Sequence, residues 1–154
     1  MRLWTADSPE GRARACRFMR SRGVHLTDLN YVNAIGLVDS ARHIAACVAY
    51  TDFMGRLCTM HLAARAGLKH WCTREFLWTI FDYPFVQCDL LEVLAWVPVD
   101  NYPLLRMLRR LRFLPRYTTG DGALVLFSLR RGLLPQSFTK GPQHGQIEQA
   151  AACA

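Results

Sequence analysis

Apolar residues recur along this chain in short blocks whose period switches between two and about 3.6, and the switches mark strands and helices. Residues 1–5 read as a short strand. Asp7-Ser8-Pro9-Glu10 then supplies a cap oxygen, a first-turn proline and an acid for the positive end of the dipole, which predicts a helix start. That helix runs to about Arg22 and stops at Gly23, with a narrow inward stripe of Ala13, Cys16, Phe18 and Met19. Three strand-like segments follow at 33–38, 44–50 and 57–63, joined by turns at Asp39-Ser40 and Gly55-Arg56. Connections this tight predict an antiparallel meander, and the continuous apolar run of 44–50 suits a strand covered on both faces.

The period then lengthens. Thr73 opens a helix with Phe76, Leu77, Ile80 and Phe81 on one face, and Pro84 lies near its end. Residues 90–99, rich in Val and Leu, predict a strand. From Tyr102 to about Arg112 the pattern is a basic amphipathic helix, with Leu104, Leu105, Leu108 and Leu111 inward. Residues 113–118 and 123–129 form a hairpin around Gly120-Asp121-Gly122. The expected fold class is a mixed α/β (α+β), mainly antiparallel sheet with helices on its faces. Residues 1–131 form one domain, and 132–154 show no sustained period and read as an irregular or docked tail.

Composition narrows the setting. Just over half of the 154 residues are apolar and 20% are charged, which is globular rather than disordered. No apolar run approaches a membrane span, and the N-terminus lacks a signal-peptide pattern, so an intracellular, cytoplasmic protein is expected. Six scattered cysteines without a C-x-x-C pair, and five unclustered histidines, predict buried thiols and no metal site. The net charge is +7, and its excess is local: between Arg106 and Arg131 there are seven arginines against the single acid Asp121. Such a face favours anionic partners: phosphorylated cofactors, an acidic protein or peptide, or nucleic acid.

Two short segments carry a family likeness: Trp71-Cys72-Thr73-Arg74 at a helix start, and Phe81-Asp82-Tyr83-Pro84-Phe85 after it. With the element order above, residues 1–131 resemble the GNAT superfamily of acetyl-coenzyme A-dependent acyltransferases, nearest to its small phage-encoded members. The resemblance implies acetyl-coenzyme A as cofactor and a primary amine as acceptor. It implies that the turn from Arg65 to Arg74 receives the pyrophosphate at a helix N-terminus, through Gly67, Lys69, His70, Trp71, Cys72, Thr73 and Arg74. The bulky His70-Trp71-Cys72 stands where the family favours small residues. The strand before the turn, with His61, Leu62 and Ala63, is implied to expose backbone to the pantetheine arm and to splay from residues 93–97.

Asn101 and, twelve residues on, Phe113 match a further family pattern, although Arg112 replaces the usual Gly. The Asn101 amide serves either the cofactor arm or the helix cap, and both roles are compatible. The Tyr that many relatives place seven residues after this Asn, to protonate the leaving thiolate, is here Leu108. Tyr102 and Tyr117 are substitutes off the motif position. For a base the candidates are Asp52 first, then Glu92 and Asp100. Direct attack of amine on thioester is expected, over a covalent intermediate on Cys47, Cys58 or Cys72. Two rival readings stand beside it: a GNAT-shaped virion or interaction protein without turnover, and a nucleic-acid-binding module using the arginines. Exposed edge strands leave a homodimer open.

Overall fold

The computed structural model describes residues 1–26 and 32–134. Its elements in chain order are β1 (Arg2–Thr5), α1 (Pro9–Arg20), β2 (Asn33–Val38), β3 (Ile44–Met54), β4 (Leu57–Ala64), α2 (Arg74–Asp82), β5 (Glu92–Pro98), α3 (Tyr102–Arg110), β6 (Leu114–Thr118) and β7 (Leu124–Arg130). The strands make one seven-stranded sheet, ordered β1-β2-β3-β4-β5-β7-β6. Neighbours run antiparallel except β4 and β5, as the long crossover through α2 requires. The mixed, mainly antiparallel architecture read from the sequence is therefore the one observed. The tail expectation falls, for residues 135–154, outside the described residues; 131–133 form a 3-10 turn.

Two apolar layers hold the sheet. On one face Ala15, Cys16 and Met19 of α1 pack against Ala34, Val38, Cys47, Ala49 and Ala63. On the other, Phe76, Ile80 and Phe81 of α2 and Leu108 of α3 pack on Val48, Tyr50, Val93, Val97, Phe127 and Leu129. Each fully buried large side chain contributes about 1.5–3 kcal/mol against its exposed state. Residues 44–50 are buried throughout, which is why their apolar run shows no alternation. Gly36 is needed where β2 passes β1 and β3: a Cβ there would meet Ala46 O at 2.9 Å and Trp4 Cε3 at 3.1 Å.

Helix ends obey the local chemistry. Ser8 Oγ accepts from Gly11 N, Thr73 Oγ1 from Phe76 N, and Asn101 Oδ1 from Leu104 N. The sequence predicts that the second helix ends near Pro84, yet the coil continues through 83–87 as a π-turn. Pro84 has no N–H to give the carbonyl four residues back, Ile80 O. The buried Tyr50 hydroxyl donates to that carbonyl at 2.5 Å, so the broken bond is replaced across the core.

Two features position the site. First, β4 and β5 pair only through Leu57↔Glu92, Cys58↔Val93 and Thr59↔Leu94. Beyond that, β4 stays bound to β3 as far as Ala64, and β5 to β7 as far as Pro98, so the sheet opens as a wedge between them. Second, α1 covers β2, β3 and the Ala63 end of β4. The same face of β5, β7 and β6 carries no helix among the described residues, and Trp96 and Tyr117 stand there 41% and 57% exposed.

Candidate active site

The wedge starts where two strand distortions meet. The β3–β4 register slips between Thr51 and Met54, and Asp52 sits in that bulge with φ of 50°, a left-handed conformation uncommon for a residue with a side chain. In register, Thr51 opposes Thr59 and Ala49 opposes His61, so Thr51, Thr59 and His61 share one face. Thr51 Oγ1 donates to Asp52 Oδ2 at 2.8 Å and lies 2.9 Å from His61 Nε2. A threonine hydroxyl has one hydrogen, and it goes to the carboxylate. The His61 contact is then an Nε2–H donating to Thr51, which fixes the tautomer and leaves the Nδ1 lone pair open.

Burial pushes the His61 pKa below its ordinary value, partly opposed by the Asp52 charge, so the ring is neutral at neutral pH. The relay Asp52–Thr51–His61 thus sets a neutral imidazole at the apex of the wedge. From the sequence, Asp52 is a candidate base and His61 a neighbour of the cofactor arm, two separate expectations; Thr51, which the sequence does not single out, joins them. The missing signal was register: only the β3–β4 pairing shows that residues ten apart are neighbours.

Glu92, the second catalytic candidate, lies on the closed side of the Thr59–Leu94 pair. Its Oε1 is 3.6 Å from Arg116 and 3.7 Å from Arg130. Tyr117 on β6 packs edge-on against Trp96, ring centroids 6.3 Å apart, and does not join the relay. Of the β4 residues implied for the cofactor arm, Leu62 turns to the α2 side and Ala63 packs under α1, both within the opened stretch. Their strand's backbone groups on the wedge side are no longer consumed by pairing with β5.

The turn before α2 carries Gly67 with φ of 71° and no atom within 4 Å of its absent Cβ, and His70 with φ of 57°. Lys69, His70, Thr73 and Arg74 are exposed around it. Trp71 and Cys72 instead turn inward: Trp71 meets Phe76 edge-on at 6.1 Å, and Cys72 Sγ lies 3.9 Å from Met107 Sδ of α3. Arg65 leaves the loop altogether. Its Nη2 pairs with Asp39 at 2.9 Å while its buried Nε finds no acceptor. Arg65 also borders a basic hollow of about 340 Å³ beneath α1, lined by Arg14, Arg17, Arg22 and His43.

The expected arginine face from 106 to 131 is not one surface. Arg106, Arg109 and Arg110 are exposed on α3, but Arg116 bonds Ser128 Oγ at 2.7 Å and Arg131 pairs with Asp89 at 2.7 Å. These side chains brace strand ends. Among the described residues no His, Cys, Asp or Glu group is placed to hold a metal ion, and no helix is long and apolar enough to cross a membrane.

A sheet split between its fourth and fifth strands, with a helix N-terminus above the gap, invites comparison with solved structures. A spermidine N-acetyltransferase from Vibrio cholerae superposes with a TM-score of 0.67 over 89% of this chain and 99% of its own, at 11% identity. The Campylobacter jejuni N-acetyltransferase PseH gives 0.59 over 84% and 97%, at 14% identity. The ribosomal-protein-S5-alanine acetyltransferase from Vibrio fischeri gives 0.53 over 66% and 62%, at 19% identity. The fold is the GNAT acetyltransferase fold. No family model matches the sequence, and no curated protein matches it.

Within this GNAT fold the sequence's departures take physical form. Leu108, at the expected tyrosine position, is 1% exposed and part of the core, so no acid stands there. Arg112, at the expected glycine, takes the left-handed conformation itself, with φ of 65°. Asn101 spends its Oδ1 on the α3 cap, at 3.2 Å from Leu104 N, and keeps its amide hydrogens. Phe113 is buried against Phe81.

Proposed function

We propose that the chain is an N-acetyltransferase that moves an acetyl group from acetyl-coenzyme A to a primary amine by direct attack. One observation carries the reading: the sheet parts after Thr59–Leu94, and the neutral His61 of the relay stands at the apex of the opening. The acetyltransferase fold of the neighbours supports it. Residues 1–131 are the proposed catalytic domain. The proposed setting is intracellular, where the thioester is made; a phage-encoded origin rests on the two short motifs alone.

The residues present fit the cofactor. The free backbone edge of β4 from Met60 to Ala64 suits the amides of a pantetheine arm, and the open turn at Gly67 leads to a helix N-terminus suited to a pyrophosphate. Lys69, His70 and Arg74 add positive charge to that end. Asn101, whose Oδ1 caps α3, is the residue proposed to donate to the arm through its amide hydrogens.

Acetyl-coenzyme A, held by the β4 edge and the Gly67 turn, would supply the acetyl group as a thioester whose C–S bond breaks as the C–N bond forms. The proton His61 takes from the amine would return through solvent to the departing thiolate. As the amine's lone pair becomes the new bond, the nitrogen turns acidic. His61 Nδ1 takes its proton, and Thr51 and Asp52 hold the ring and stabilise the imidazolium. Backbone N–H groups in the opened strand polarise the thioester carbonyl. A thiol nucleophile is disfavoured: burial pushes Cys47 up to about 12 and also raises Cys72, so neither is a thiolate at neutral pH.

Calorimetric titration with acetyl-coenzyme A tests the reading. Saturable binding is expected, and it is lost in Gly67→Trp, because a bulky side chain is strained at φ of 71° and fills the turn. A chain that folds but does not bind would overturn the assignment.

A further inference from the structure

The wedge has a floor on the side opposite α2 and α3. Thr59 and Leu94 form the last β4–β5 pair, so two positions further along each strand His61 and Trp96 confront each other across the gap. Alternation puts both on the α1 side of the sheet. Trp96 pairs with Leu126 of β7, which pairs in turn with Tyr117 of β6. The two aromatic rings meet edge-on above Leu126, and Leu94, Leu124 and Leu114 continue the surface. A contiguous apolar, aromatic shelf therefore begins at the base and runs away from it across three strands.

An edge-on pair leaves ring face available to a third flat group, and two neighbouring aromatics are a large exposed area for a chain of this size. The charges select further. On this face β5, β6 and β7 offer one carboxylate, Glu92, and it lies between Arg116 and Arg130. The next acids, Asp100 and Asp121, lie beyond the strand ends, and Asp121 is engaged by Thr119 and Ala123. Among the described residues the negative charge beside His61 is that of Asp52. A second or third ammonium further along the shelf would meet arginines.

Resting on the acetyl-transfer reading, we propose that the acceptor is a monoamine on a short linker to an aromatic body, the ring seated on Trp96 and Tyr117 and the amine at His61. The assignment separates this chain from the spermidine enzyme that shares its fold. A polyamine needs carboxylates where this shelf has indole, phenol and guanidinium.

The test uses the full chain. Phenethylamine, n-hexylamine and spermidine are compared as acceptors with acetyl-coenzyme A, following thiol release. Phenethylamine is expected to show kcat/KM at least tenfold above both others. Trp96→Ala is expected to raise its KM about tenfold while leaving the KM for acetyl-coenzyme A unchanged, and Trp96→Phe to restore most of the loss. Independently of turnover, phenethylamine should quench tryptophan fluorescence in the parent chain and not in Trp96→Phe. Preference for spermidine, or equal use of all three amines, overturns the acceptor assignment. Saturable acetyl-coenzyme A binding without phenethylamine turnover overturns it too and leaves the transferase reading standing; absence of cofactor binding overturns both.

Discussion

At the scale of single residues, one hydrogen decides the state of the His61 ring. Thr51 gives its hydroxyl hydrogen to Asp52 and receives one from His61, so it determines which ring nitrogen is free. His61→Gln is expected to lower kcat by about 10²-fold or more, the usual worth of a positioned base. Because burial holds His61 below 6.5, kcat/KM reckoned on the unprotonated amine should fall only as pH drops beneath that value, when the ring protonates, and this acid limb should vanish in the variant. Steady-state rates across pH 5 to 9 check both. Thr51→Val keeps the shape but cuts the link to Asp52. It is expected to lower kcat more than it raises KM and to move the acid limb, with Thr51→Ser restoring both. An unchanged pH profile would show that the threonine only packs. Asp52 and His61 were each legible as functional candidates because ionisable groups interrupt apolar strands there. Their union was not legible, since a bulge and a register are tertiary facts. Arg65 shows the same limit: its charge suggests the phosphate turn, and its side chain pairs with Asp39 instead.

At the scale of elements the strands and helices were nearly all legible, because apolar period and cap residues act locally. Asp7 to Glu10, Thr73 and Asn101 announced helix starts within a residue or two. What failed to show was how elements end when a partner intervenes. Pro84 is a helix stop in isolation, yet the coil passes through it because Tyr50, thirty residues earlier, satisfies the carbonyl that Pro84 orphans. Tyr50→Phe removes one oxygen and leaves Ile80 O buried without that donor. Stability is expected to fall by about 1–3 kcal/mol, read as a lower urea midpoint at unchanged m. Loss well below that range would mean that the π-turn carbonyl finds another donor. The arginines of 106–131 give the complementary lesson. As a sequence they are one basic run, but a hairpin distributes them over two faces and a strand end, where Glu92, Asp89 and Ser128 engage four contacts. A nucleic-acid surface needs charges that stay together and stay unspent, and this fold separates them.

For the molecule as a whole, the net charge of +7 and the open wedge make a joint statement about ligand binding. Acetyl-coenzyme A is a polyanion, and the turn proposed for its phosphates lacks Arg65, which pairs with Asp39. On the proposed reading, attraction comes from the summed field, from Lys69, His70 and Arg74 around the turn, and from the α2 N-terminus. Binding driven this way weakens with salt, whereas contacts of the pantetheine arm with β4 do not. The folded chain alone presents the wedge, so the ligand stabilises by mass action: about 2.7 kcal/mol at a hundredfold excess over Kd. For a chain of this size that corresponds to roughly 5–10 °C in Tm. Thermal melts with and without acetyl-coenzyme A, at low and at high ionic strength, read both quantities. The expected result is a clear upward shift at low salt that shrinks as salt rises but does not vanish. Free adenosine diphosphate, lacking the arm, should lose its smaller shift entirely at high salt. The basic hollow beneath α1 supplies the internal control, since any phosphate bound there is indifferent to the wedge. Gly67→Trp should abolish the acetyl-coenzyme A shift; a shift that survives this substitution would place the phosphates beneath α1 and detach the positive charge from the catalytic cleft.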